Sequence, residues 1–204
     1  MKGPLPRVHA ITDERIARRG DLDDLARDLA AAGGAHLAFH ARGHALSGLE
    51  HYELATRLSV YPSTRLFVND RLDVALAAGA HGVQLRADSL TPADARRLNP
   101  HWWIGVSVHD LEQARAAQTA GADYLLVGPV FATATHPDRA PLGTEGVAEI
   151  GQLGLPVIAI GGVTPERLPE LRRAAVHGVA AIRALWDATD PAAATRRMVQ
   201  ELAA

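Results

Sequence analysis

The segment IAIGGVTPE, residues 158–166, carries an apolar run into two glycines and then into Thr164-Pro165. Glycine lets a backbone come close to an anion, and threonine followed by proline suits the cap and first turn of a helix. N–H groups of Gly161 and Gly162 placed this way would bind a phosphate, and the guanidinium of Arg183 could engage two of its oxygens. The plainer alternative is a turn in which both glycines serve chain geometry alone. Other polar residues also stand where apolar runs end: Thr12-Asp13, His40-Ala41-Arg42, Asn69-Asp70, Gln84-Leu85-Arg86, and Ser107 with His109. Asn69-Asp70 has a simpler use too, as the cap of a helix beginning at Arg71. Imidazole titrates near neutral pH and suits acid–base chemistry, which singles out His40, His109 and His136. His44 lies in the second loop and could turn inward. His9, His36, His51, His81, His101 and His177 fall at helix ends or on surfaces, with little expectation of function.

The stretch LLVGPVFATATHPDRAPLG, residues 125–143, starts as a strand and breaks at Gly128-Pro129. The connection that follows is far longer than the usual 4–6 residues, and long ordered connections tend to be lids or binding loops. It would bring Thr133, Thr135 and His136 over a ligand.

These residues need a scaffold that gathers strand ends. An Ala-rich stretch, a glycine and a short apolar run recur in AAGGAHLAF (31–39), AAGAHGVQL (77–85), TAGADYLLV (119–127) and AAVHGVAAI (174–182). Glycine ends a helix in the left-handed conformation, and the chain then enters a strand that is apolar on both faces. VHAI (8–11), RLFV (65–68), WIGV (103–106) and PVIAI (156–160) supply four more strands. Amphipathic segments near 21–32, 49–59, 71–78, 91–98, 110–120, 144–153, 165–175 and 190–203 lie between or after them. Eight β/α units predict an α/β fold, a single (β/α)8 TIM barrel over residues 1–204, with its active site at the C-terminal strand ends. An open doubly wound sheet would typically show G-x-G-x-x-G after its first strand, and ITDERIARRG has none.

Composition narrows the chemistry. The chain of 204 residues has no cysteine, which removes disulfides, thiolate catalysis and Cys-ligated zinc. A net charge of -2 gives no basic footprint for nucleic acid. No run approaches the length of a membrane span, and MKGPLPRVHAITD lacks the apolar core of a signal peptide. The expectation is a cytoplasmic protein acting on a small molecule, with no nucleic-acid or membrane partner. Assembly as a homo-oligomer stays open.

HAITD (9–13), LFVNDRLDVALAAGAHGVQL (66–85), IGVSVHDLEQA (104–114), ADYLLVGPVFATAT (122–135) and LPVIAIGGVTPE (155–166) together resemble the thiamine phosphate synthase and TenI superfamily across nearly the whole chain. The resemblance implies a barrel that binds thiazole phosphate. The synthases join a hydroxymethylpyrimidine pyrophosphate to it with Mg2+. Their QLREK-like motif reads LAFHARG here, with His40 taken to stand at the arginine and Arg42 at the lysine. Asp70 matches one metal aspartate. The second position falls on Ser89, beside Asp88, and the lysine of a TSTK-like loop becomes His136. TenI-type tautomerases isomerise thiazole carboxylate phosphate without an essential metal, and VQLRADSLTP (83–92) looks more like theirs. Their GHVF-like histidine is Pro129 here.

The resulting expectation is a TenI-like thiazole tautomerase without a cofactor. His40 and His136 would be its catalytic groups, Gly161, Gly162 and Arg183 its phosphate site, and Arg42, Asn69, Gln84, Ser107, Thr133 and Thr135 its substrate contacts. A thiamine phosphate synthase using Mg2+ at Asp70 is the alternative. A non-catalytic regulator that binds thiazole phosphate is a second.

Overall fold

The computed structural model describes residues 2–133 and 140–203. Eight parallel strands close into a barrel in chain order: β1 (Val8–Ile11), β2 (Leu37–Ala41), β3 (Arg65–Asn69), β4 (Gly82–Leu85), β5 (Trp103–Val108), β6 (Tyr124–Val127), β7 (Val157–Ile160) and β8 (Gly178–Ala181). The ladder closes where Val8 pairs with Val179. This is the single (β/α)8 barrel that the alternation of runs predicts.

Helices Leu22–Gly33, Gly48–Ser59, Leu72–Ala77, Pro92–Leu98, Leu111–Thr119, Gly143–Gly151, Leu168–Arg173 and Pro191–Ala203 follow the amphipathic segments. Local chemistry fixes their starts. Ser47 with Glu50, and Thr91 with Asp94, form capping boxes that satisfy N–H groups left over at a helix start. Two short helices, Glu14–Ala17 and Arg183–Trp186, lie outside the expected segments. None of the helices among the described residues is long and apolar enough to cross a membrane.

Strand residues alternate between two cores. One row packs outward against the helices, as Val8, Phe39, Val68, Val83 and Leu125 do. The other faces the barrel axis and includes Ile11, Ala38, Phe67, Tyr124, Leu126 and Ile158. Each fully buried large apolar side chain contributes about 1.5–3 kcal/mol. Two rings of this inner core depend on missing side chains. A Cβ on Gly82 would lie 2.4 Å from the Phe67 ring, and one on Gly105 would lie 2.2 Å from the Tyr124 ring.

Two histidines placed on surfaces or helix ends are in fact interior. His9 is fully buried on the inner face of β1, and its ring lies 5.7 Å from Phe67 and 5.9 Å from Tyr124, centroid to centroid. His51 is buried under its helix and donates from Nε2 to the carbonyl of Ala41 at 2.9 Å. His9 has a partner at each ring nitrogen, the Pro6 carbonyl and His40, and His51 has one at Nε2.

Candidate active site

A cavity of about 1010 Å3 opens at the C-terminal ends of the strands, the end expected to carry chemistry. Its floor is apolar, with Ile11, Leu126 and Ile160. On the β7–β8 wall, Gly161 and Gly162 adopt φ of 96° and 64°, in the left-handed region that favours glycine. Their Cβ positions are also blocked, 2.6 Å from Pro129 Cα and 2.7 Å from the Ala132 carbonyl. Chain geometry therefore requires both glycines, as the plainer alternative holds. The same geometry lines the cavity with their backbone.

Two arginines flank them. Arg167 donates to the Gly162 carbonyl at 3.2 Å and lies 4.3 Å over the Phe131 ring. The guanidinium of Arg183, also on the cavity wall, has no hydrogen-bond partner among the described residues, and Asp187 is held below the usual carboxylate range chiefly by its hydrogen bonds from Arg15, with Arg183 adding the smallest part.

The facing β2–β4 wall carries two more. Arg42 takes its backbone position from Thr12, whose Oγ1 accepts the Arg42 N–H at 2.9 Å. Its guanidinium donates to His44 Nε2 at 2.5 Å. Burial first, and then the Arg42 charge, lower the pKa of His44. That imidazole is therefore neutral at pH 7. Arg86 follows β4, and its backbone N–H donates to Asp70 Oδ1 at 3.0 Å. Asp70 itself has φ of 58°, uncommon outside glycine but tolerated by aspartate.

At the end of β5, Ser107 lines the cavity, and its Oγ accepts a hydrogen bond from Gln84 Nε2 at 3.0 Å. His109 donates from Nδ1 to the Gly128 carbonyl and lines the cavity beside Ser107.

A model of the family described as thiamine monophosphate synthase matches residues 8–185. The chain belongs to that family. The thiamine-phosphate synthase of Chloroflexus aurantiacus is 38% identical over 94% of this chain and 90% of its own length. A putative thiamine-phosphate synthase 2 of Aquifex aeolicus is 34% identical over 87% of this chain and 96% of its own. Among solved structures, a thiamine phosphate pyrophosphorylase of Pyrococcus furiosus superposes with a TM-score of 0.83 at 31% identity, covering 97% of this chain and 95% of its own.

Within this synthase family the expected site is partly redrawn. Arg42, Asn69, Ser107, Thr133, Gly161, Gly162 and Arg183 meet at the cavity, as does Asp70. His40 does not: it is fully buried inside the barrel, one residue before the end of β2. The residues of that stretch that reach the cavity are Arg42 and His44, two positions beyond the expected pair. Gln84 is buried as well and holds Ser107 from behind instead of lining the cavity. Thr135 and His136 lie outside the described residues. Arg86 and Arg167 carry no expected role. Their signal was each arginine's place just past an apolar run or first helical turn.

Mg2+ is the ion the synthase reading implies. Asp70 already accepts the Arg86 N–H, and the Arg86 guanidinium lies 3.7 Å from its other oxygen. Asp88 is 79% exposed and pairs with Arg86 at 3.2 Å. No group of three His, Asp or Glu that could hold a metal exists among the described residues. The donor set does not fit a protein-held Mg2+, which favours near-octahedral oxygen ligands.

Proposed function

We propose that this protein is a thiamine-phosphate synthase, a transferase that joins a hydroxymethylpyrimidine pyrophosphate to a thiazole phosphate. The observation that carries the reading is the pairing of cations on opposite walls: Arg42 and Arg86 on one side, Arg167 and Arg183 on the other. A single phosphorylated ring would need one such cluster. Two clusters suit two anionic groups, and about 1010 Å3 is at the upper end of small-molecule sites, with room for two substrates. Family membership supports a role in thiamine biosynthesis, and the relatives' names support the coupling reaction.

In this reading the C–O bond to pyrophosphate breaks, and its electron pair leaves with the oxygen. The lone pair of the thiazole nitrogen then forms the C–N bond to the same methylene carbon. Negative charge grows on the departing pyrophosphate, where Arg42 and Arg86 stabilise it without reorganising. Gly161, Gly162 and Arg183 hold the thiazole phosphate, so both reactants are fixed before bonds change. Ile11, Leu126 and Ile160 keep water from the electron-poor carbon.

The tautomerase reading rested on His40 and His136: the His40 imidazole is buried below the cavity, and His136 lies outside the described residues. The test is an assay of the purified protein with thiazole phosphate plus pyrimidine pyrophosphate, and separately with thiazole carboxylate phosphate alone. Coupling supports the proposal. Isomerisation without coupling, or binding without turnover, would replace it.

A further inference from the structure

Beneath the cavity runs a chain of hydrogen bonds that the proposed reaction does not use. His9 Nε2 lies 3.0 Å from the Pro6 carbonyl, His9 Nδ1 lies 2.8 Å from His40 Nε2, and His40 Nδ1 lies 3.2 Å from Asn69 Oδ1. Both imidazoles are fully buried, and His40 stacks on Phe67 at 5.0 Å with rings 8° from parallel. Asn69 lies at the top of the chain, on the cavity wall.

Counting protons decides how the chain is wired. The Pro6 carbonyl can only accept, so His9 must carry a proton on Nε2, and in the neutral ring that burial favours its Nδ1 must accept. His40 must then donate from Nε2. If Asn69 also accepts, His40 needs a second proton and the pair carries a positive charge. Burial opposes that charge, and so does the nearby Arg42 guanidinium, while His177 adds to the opposition at His9. A neutral His40 has a lone pair on Nδ1, so the Asn69 carboxamide must be turned over, with its amide N–H in place of Oδ1 toward the imidazole. The carboxamide oxygen of Asn69 then faces the cavity.

We propose that His9 is a positioning residue: it sets the tautomer of His40, which turns Asn69 so that its carboxamide oxygen faces the cavity as an acceptor for an N–H group of the ligand. An anionic oxygen is disfavoured at that spot, which leaves the pyrophosphate to the arginines on either side. Without His9, His40 is free to carry its proton on Nδ1 and to take the oxygen of Asn69 for itself.

The test is long-range 1H–15N NMR of histidine-labelled protein at pH 7. His9 and His40 are expected to be neutral, each with its proton on Nε2. In His9→Leu the His40 proton is expected on Nδ1. His9→Asn, which keeps an acceptor toward His40, is expected to retain the parent tautomer. Should His9→Leu fail to fold, Asn69→Asp carries the test, because a carboxylate cannot donate to His40 and the imidazole is expected to become doubly protonated. A parent His40 protonated on Nδ1, or on both nitrogens, overturns the proposal, as does an unchanged tautomer in His9→Leu or a neutral His40 in Asn69→Asp. These spectra report on the protein alone, so they fail independently of the proposed reaction. A kinetic arm rests on that reading: KM for the pyrimidine substrate is expected to rise several-fold in His9→Leu and to recover in His9→Asn. A loss confined to kcat would refute the positioning role.

Discussion

Arg86, just past β4, lies against Asp70 at the end of the neighbouring β3, its backbone N–H donating to Oδ1 at 3.0 Å and its guanidinium 3.7 Å from Oδ2. A cation on the chain therefore already faces the carboxylate that would be asked to hold Mg2+. Calorimetric titration of the ligand-free protein with MgCl2 is expected to show no saturable binding in the micromolar range. A micromolar site would restore Asp70 as a metal ligand. Arg86→Met is expected to raise KM for the pyrophosphate substrate by roughly tenfold or more, since a charged hydrogen bond contributes about 1.5–3 kcal/mol.

The Arg183 guanidinium has no hydrogen-bond partner among the described residues, and the residue lines the cavity beside Gly161 and Gly162. Its fork can bind two phosphate oxygens where a serine offers one hydroxyl. Arg183→Ser is expected to weaken thiazole phosphate binding by roughly tenfold or more. An unchanged dissociation constant would show that the guanidinium points elsewhere.

Gly162 combines a φ of 64° with a Cβ position 2.7 Å from the Ala132 carbonyl. An alanine there costs about 1–2 kcal/mol for the backbone alone, before the clash is relieved. Thermal unfolding of Gly162→Ala is expected to show Tm lowered by about 2–8 °C. A smaller shift would mean that the 128–133 segment yields easily.

Burial, reinforced by Arg42, lowers the His40 pKa to about 4. An imidazole in the unfolded chain titrates near 6.5. Between those values the unfolded state binds the extra proton, so stability is complete above about pH 6.5 and falls as the pH drops toward 4. The shift amounts to about 3 kcal/mol, and His9, also depressed by burial, adds loss of the same sign. Urea unfolding at pH 7.5 and 4.5 measures it. His40→Gln is expected to flatten part of the difference, and an equal loss in that variant would assign the effect to other groups.

The barrel was legible because glycine-ended helices and doubly apolar strands leave few other ways to bury both faces. The cavity wall of Gly161, Gly162 and Arg183 was legible too, since these residues stand just past β7 and β8. The interior was misread for want of strand parity. Ala38 and His40 share the inner face of β2, and Arg42 continues it into the cavity, so His40 belongs one layer below the site. Gly82, Gln84 and Arg86 repeat that order along β4. The pairing of His9 with His40 was not legible, because two residues 31 apart meet only when the barrel closes.

The blocked Cβ positions at Gly82 and Gly105 also bear on how such sequences drift. Each glycine yields its volume to an aromatic ring on a neighbouring strand, Phe67 and Tyr124 respectively. Neither ring can be inherited without its glycine, and a side chain gained at 82 or 105 must be matched by a smaller residue at 67 or 124. Among related sequences the positions should therefore substitute in pairs, 67 with 82 and 105 with 124, as correlated changes that keep the barrel's girth constant while the loops above diverge.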